Sequence, residues 1–249
     1  MKILVVLRAL QDPAGITVNR KAQKVFVNRP QWVFNPSDRN ALEAALRLGG
    51  DIVVAAVGGA AAEQVLRDAR AMGAGRALLL RDQALADADA FGLANALKAV
   101  VHHLGGVDLV LCGSQVLDAD LAQVGPRLAQ ALDWPFAANA HAVQAADGEV
   151  ALITSRRGEW RQAALTLPAV VAVAPDSNKP RLPAGQQIIN VYTDPGAVET
   201  LTAADLGLSE AELQPLTEPR GQSFPAEREL GRRLDGDIAG QLADILRKA

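Results

Sequence analysis

The chain has 249 residues, 49% of them hydrophobic, with a formal net charge of −3 and a pI near 5.7. That is enough apolar material for a sizeable core, and so weak a charge gives no field to gather nucleic acid or an anionic membrane, leaving a protein or a small molecule as the partner. Cys112 is the single cysteine, which excludes an internal disulfide, and His102, His103 and His141 lack metal-ligand spacing with other donors.

Aromatic residues are sparse while Ala, Val and Leu dominate, a composition suited to parallel strands covered by Ala-rich helices. The opening MKILVVLRALQDPAG has too short an apolar run for a signal peptide. No stretch reaches the ~18 apolar residues a membrane span needs, so a soluble protein of the reducing cytoplasm is expected.

In chain order, Lys2 to Leu7 reads as a buried first strand, and Ile16 to Asn28 as a hairpin excursion. The segment NPSD then precedes a helix whose Ala41, Leu42, Ala45, Leu46 and Leu48 share an apolar face closed by Gly49 and Gly50. Ile52 to Val57 is the next strand, Gly58-Gly59 its turn, and Ala60 to Met72 a second helix ended by Gly73. A short strand at Arg76 to Leu80, a helix at Ala90 to Leu104 and a strand at Val107 to Cys112 follow. His102 and His103, at a helix end, read as surface complementing its dipole. After Cys112 a polar, turn-rich loop leads into an amphipathic helix carrying Leu128 and Leu132, the fourth βα unit.

Alternating βα units imply a mostly parallel, doubly wound sheet with helices on both faces. Past Pro135, Asp147-Gly148 and Arg157-Gly158 punctuate short runs suited to hairpins, so antiparallel strands are added. The run AVVAVAP should be a central strand stopped by Pro175. A core domain over 1–176 is therefore expected. Residues 177–249, rich in Pro, Gly and charge, read as an extended arm closed by a short amphipathic helix with Ile238, Leu242 and Ile245 on one face. That helix either folds back on its own domain or docks on a partner.

In an open α/β sheet the loops at the strands' carboxyl ends hold ligands, and helix N-termini there favour phosphate. Val6 to Ala9, Asn35 to Asp38, Val57 to Gly59 and Asp118 to Arg127 are such loops, placed to meet at one rim. Each has a plainer account. Asn35 and Pro36 suit helix capping alone, and Asp118 and Asp120 suit a helix dipole. Gly58-Gly59 is a weak signal without a full GxGxxG fingerprint. Capping does not explain why Gln123, Gly125 and Pro126 follow so closely. Gln123 offers an amide to a phosphate or base, Gly125 allows close backbone approach, and Arg127 is either a phosphate counter-ion or a solvated helix residue. Asp118 and Asp120 have no His, Lys or Ser beside them in a nucleophile arrangement, and Cys112 reads as an inert core thiol, so no catalytic constellation emerges.

Four ordered segments carry a resemblance: KILVVLR, NPSDRNALEAALRL, LRDARAMGAGRALLL and GSQVLDADLAQVGPRLAQALDWP. Together they resemble the electron-transfer flavoprotein β-subunit family, including its FixA branch. The resemblance implies an adenine-nucleotide α-hydrolase-like (HUP) α/β domain without hydrolase activity, an electron-carrier subunit and not an enzyme in its own right. It implies a structural AMP in a pocket of Val6, Asn35, Pro36, Ser37, Asp38, Val57, Asp118, Asp120, Gln123, Val124, Gly125, Pro126 and Arg127. It also implies an α subunit as heterodimeric partner, whose redox FAD this chain helps enclose, with electrons passing from a flavoprotein dehydrogenase to a downstream acceptor.

Two departures matter. Ser37 stands where the family often has an aromatic, and NKPRLPAGQQIINVY lacks the basic run of the family's partner-recognition loop. The second points to a donor other than an acyl-CoA dehydrogenase, such as an amine or methylated-amino-acid dehydrogenase. The QVGP wording and the terminal GRRLDGDIAGQLADIL look like the FixA or bifurcating branch, in which a second FAD replaces AMP. Two rivals share the architecture. A nucleotide hydrolase is disfavoured by the absence of an SGGxDS-type phosphate loop after the first strand, and a non-redox nucleotide-binding homodimer would ignore any α subunit.

Overall fold

The computed structural model describes every residue except 29, 87, 118–121, 219–222, 227–230, 232 and 249. The first half alternates strand and helix. Strand β1 (Lys2–Val6) is followed by short β2 (Ala9–Gln11), the hairpin β3 (Ile16–Asn19) and β4 (Lys24–Val27), and β5 (Trp32–Phe34). Then come α1 (Pro36–Leu48), β6 (Asp51–Val57), α2 (Ala60–Met72), β7 (Arg76–Leu80), α3 (Ala90–His103), β8 (Leu109–Gly113) and α4 (Val124–Leu132). The second half holds β9 (Phe136–Ala146), β10 (Glu149–Arg156), β11 (Glu159–Thr166), β12 (Ala169–Val173), α5 (Gly185–Thr193), β13 (Glu199–Leu201), α6 (Glu210–Leu213) and α7 (Ile238–Lys248).

These strands build a nine-stranded sheet in the order β11-β10-β9-β12-β8-β1-β6-β7-β13. From β9 to β13 all neighbours run parallel, and β10 and β11 extend the sheet antiparallel. The β10–β11 connection is Arg157-Gly158, both with positive φ (51° and 82°), as a two-residue type I′ turn requires.

Side-chain alternation along the parallel strands divides the core between two faces. Ile3 and Val5 of β1 pack with Leu42 of α1 and Leu66 of α2, whereas Leu4 between them packs with Leu97 of α3 and Leu128 of α4. The sheet is thus doubly wound, with α1 and α2 on one face and α3 and α4 on the other. β12 is buried at all five positions, the central strand that the run AVVAV implied. Each fully buried aliphatic side chain contributes about 1.5–3 kcal/mol, so the layers are fixed mainly by these stripes.

Beyond Asp176 the chain is more structured than its composition suggests. It crosses α1 on a polar seam, where Asn40 Nδ2 donates to the Asn178 carbonyl at 2.8 Å and Arg181 Nε donates to Glu43 Oε2 at 2.9 Å. α5 then lies along α2, with Arg67 Nη1 donating to the Val191 and Asp194 carbonyls. β13 pairs with β7 as an edge strand, and α6 packs on α3. A three-residue strand and a four-residue helix show too little periodicity to be read from sequence. α7 keeps its apolar residues Ile238, Leu242 and Ile245 about half exposed.

Candidate nucleotide-binding site

The chain runs outward from β1 in two directions. β1, α1 and β6 build the sheet one way, while α3 returns the chain to β8 on the other side of β1, so the order reverses between β1 and β8. At such a reversal the following loops diverge and leave a crevice at the carboxyl ends. A cavity of about 670 Å³ opens there, spanning the ends of β8, β1, β6 and β7. Its size lies within the usual range for ligand sites.

The loops that sequence reasoning placed at one rim do meet. Val6, Asp38, Val57, Val124 and Gly125 line the cavity, together with Arg8, Gly58, Gly59, Cys112 and Gly113. Asn35 and Ser37 are buried and do not line it, whereas Pro36, Gln123, Pro126 and Arg127 are exposed. Asp118 and Asp120 lie outside the described residues.

Asn35 to Asp38 join two strand-end loops. Asn35 begins α1 without making a side-chain cap, so capping is not what this segment does. Its Nδ2 instead donates to the Gln115 carbonyl at 2.7 Å, and Ser37 Oγ donates to the same carbonyl at 2.6 Å. Asp38 Oδ2 accepts the Arg8 N–H and Oδ1 the Gly113 N–H, both at 2.9 Å. A Cβ on Gly113 would collide with Asp38 Oδ1 and Ser37 Oγ, which is why only glycine fits at that strand end. Burial pushes the Asp38 carboxyl up to about 7, against the opposing hydrogen bonds from Asn35, Gly113 and Arg8.

Gly125 has a similar constraint with a different cause. A Cβ there would lie 2.9 Å from Cys112 Sγ and 3.3 Å from the Phe136 ring. Gly125 therefore lets α4 close on β8 while its backbone lines the cavity. Burial pushes the Cys112 thiol up to about 12, so it remains neutral, as an inert core thiol should. Arg127 bonds only loosely to Gln123 Oε1, one turn back on the exposed face of α4.

One wall went unread. Arg81, Asp82, Gln83 and Leu85, following β7, line the cavity as well. The signal was available, since this loop also follows a parallel strand and the strand-end rule selects it. Its charged groups already have partners: Arg81 Nη2 donates to Glu63 Oε2 at 2.7 Å, and Asp82 accepts N–H bonds from Ala84 and Ala203. The Arg81 hydrogen bond holds the Glu63 carboxyl below its ordinary value, outweighing burial with help from Arg67.

An adenine nucleotide needs polar partners in the pocket and N–H groups for its phosphate. Asn35 Oδ1 and Ser114 Oγ are buried without a hydrogen-bond partner among the described residues. The Nδ2 of Asn35 is already placed by two acceptors, so its Oδ1 is an acceptor in want of a donor, which an exocyclic amine supplies. Among the described residues, α2 and α4 start at the cavity without side-chain caps, whereas Asp89 caps α3 and a Ser209–Glu212 capping box opens α6. The exposed start of α5 is also uncapped. The residues present fit the group.

Sheet, reversal point and cavity define a doubly wound α/β domain with a ligand-sized cavity at its strand ends. The chain belongs to the electron transfer flavoprotein domain family, whose match covers residues 23–206. It is 30% identical over 255 aligned positions to the electron transfer flavoprotein subunit beta of Thermoanaerobacterium thermosaccharolyticum, covering 100% of this chain and 97% of that one. It is 30% identical to the caffeyl-CoA reductase-Etf complex subunit CarD of Acetobacterium woodii, over 84% of this chain and 81% of the other. Protein FixA of Rhizobium meliloti is 33% identical over 70% of this chain and 63% of its own length. No helix among the described residues is long and apolar enough to cross a membrane.

Proposed function

We propose that this chain is the β subunit of a heterodimeric electron-transfer flavoprotein of the cytoplasm. It holds a structural AMP in the strand-end cavity and helps enclose the redox FAD of an α subunit. Electrons pass from a flavoprotein dehydrogenase, of the amine or methylated-amino-acid type, to a downstream acceptor. The observation that carries this reading is the cavity at the β1/β8 reversal, lined by Asp38 and Gly113 and by the starts of α2 and α4, which among the described residues have no side-chain caps.

In this reading Asn35 and Ser114 meet the base, and the N–H groups at the starts of α2 and α4 meet phosphate. Gln123 and Arg127 add contacts from the exposed rim, as do Asp118 and Asp120 by the family resemblance. FAD, when bound, supplies the electron chemistry, and this chain's residues bind, orient and exclude water around it. Co-expression with an α subunit should give a yellow complex that releases AMP on denaturation. A colourless, nucleotide-free pair sinks the proposal, and a stable homodimer indifferent to the α subunit favours the non-redox alternative.

A second reading replaces AMP with a second FAD. The breadth of the cavity supports it, since the space continues past β6 to the loop after β7, as does the similarity to a subunit of a caffeyl-CoA reductase-Etf complex. The extracted nucleotide decides: AMP and FAD in equal amounts for the first reading, FAD alone at two per heterodimer for the second.

A further inference from the structure

The β1–β8 ladder ends at the pair Val5 and Leu111, and Arg8 and Gly113 lie beyond it where the two chains diverge. Asp38, 5% exposed, spans that divergence with one carboxylate oxygen on each backbone N–H. The geometry points to Asp38 as a positioning residue of the nucleotide site, its ionised carboxylate spacing the β1 and β8 loops so that nucleotide is held more tightly when Asp38 is charged. This rests on the reading of the cavity as an adenine-nucleotide site.

The chemistry follows from the two donors. An ionised carboxylate accepts with both oxygens, but a protonated one turns one oxygen into a hydroxyl facing an N–H, and one loop loses its partner. Burial brings that change to about pH 7, within the range in which a cell works. Among the described residues the charged and titratable groups around it are few, with Arg81 and Asp82 on the far wall of the same cavity already paired with Glu63 and with the Ala84 and Ala203 N–H groups. Arg8, beyond β1, favours the ionised form, and Cys112 of β8 stays neutral. β12 brings only Ala and Val. On β9, His141 is engaged with Ser155 Oγ, and on α1 itself Glu43 is held by Arg47 and Arg181.

A simple Coulomb argument predicts the opposite sign, since an ionised Asp38 repels a nucleotide phosphate and would weaken binding as pH rises. The direction of the pH profile therefore decides. AMP affinity is measured by calorimetry from pH 6 to pH 8 on the nucleotide-stripped heterodimer, wild type and Asp38→Asn. The AMP phosphate titrates near pH 6, so the readout is the ratio of the two affinities, in which that titration cancels. If only the ionised form is competent, the ratio rises about tenfold across the range. A flat or falling ratio overturns the positioning role and leaves the nucleotide site standing. No AMP binding at any pH overturns both. Should Asp38→Asn fail to fold, the Gly113 amide resonance of the ¹⁵N-glycine-labelled wild-type complex carries the test. It should shift with one midpoint near pH 7, and an amide indifferent to pH overturns the proposal.

Discussion

Two of the segments that carry the family resemblance reach the same cavity by different physical means. Asn35 to Asp38 is mostly buried, and its polar side chains are bonded to the backbone of the loops after β1 and β8. At the start of α4, Gln123, Pro126 and Arg127 are exposed, and among the described residues the polar pair's side chains bond to each other within one turn. One segment shapes the floor of the site and the other lines its edge. A buried polar network loses free energy whenever one member is removed, because the remaining donors and acceptors stay out of water. Substitutions in the floor should therefore disturb stability and nucleotide content together, and substitutions at the edge should separate them.

The harshest way to break this contrast is Gly113→Val. The new side chain would occupy the space of the Asp38 carboxylate and Ser37 hydroxyl, both held by packed backbone. A loss of about 3 kcal/mol in urea unfolding is expected, together with loss of bound nucleotide. If stability stayed at the wild-type value, the floor would be softer than its hydrogen bonding implies. Gly125→Val is no cleaner a probe of the ligand, since it strikes Cys112 and Phe136 first.

Further along α1, Glu43 tests whether the floor depends on the segment that crosses the helix. Burial raises its carboxyl, yet hydrogen bonds from Arg181 and Arg47 outweigh this and hold it below the ordinary value. A lowered carboxyl stabilises the fold at pH above its unfolded value, and that contribution is lost as pH falls through the folded one. Asp38, raised to about 7, acts with the opposite sign: its contribution is full below its unfolded value and is lost as pH rises through about 7. Glu43→Gln should cost about 1–2 kcal/mol at pH 7, less than a wholly buried pair because both arginines are near half exposed. The deficit should shrink below pH 4, and a deficit independent of pH would remove the ion pairs from the explanation.

Ser37→Ala removes one of two donors to the Gln115 carbonyl and leaves Asn35 Nδ2 in place. About 1 kcal/mol is the expected loss, with weaker nucleotide retention because the β8 loop loses both this bond and the longer one, 3.4 Å, that the Gln115 N–H donates to Ser37 Oγ. Thermal unfolding with and without added AMP checks both parts. An unchanged midpoint in both would show that the Asn35 and Asp38 bonds suffice to fix the loop.

What the sequence made legible follows from how much repetition each feature contains. β1, β6, β8 and β12 are apolar runs, and α1 and α2 repeat their stripe over three turns, so the succession of βα units and the layers could be inferred. The strand-end rule then located the cavity, although it was not applied to the loop after β7, whose Arg81 to Leu85 carry no motif. β13 and α6 are too short to show a period, and in α5, which reads GQQIINVYT, only Val191 is buried, so no apolar stripe marks it. The polar network was hidden for a different reason. Asn, Ser and Asp before a helix fit capping equally well, and only the folded backbone shows that their partners lie some 75 to 80 residues away.

Arg127→Ala is the mildest change and the sharpest test of the edge. Its guanidinium is exposed, and its hydrogen bonds to Gln123 Oε1, at 3.3 and 3.4 Å, are long. Exposed pairs of this kind contribute about 0–0.5 kcal/mol, so the unfolding midpoint should not move. If Arg127 is a phosphate counter-ion, the same variant should lower AMP affinity severalfold, with a weaker dependence on salt than the wild type. If it is a solvated helix residue, affinity should be unchanged at every salt concentration. A fall in stability as large as that of Ser37→Ala would erase the distinction between floor and edge, because the start of α4 would then be bound into the same network as Asn35 to Asp38.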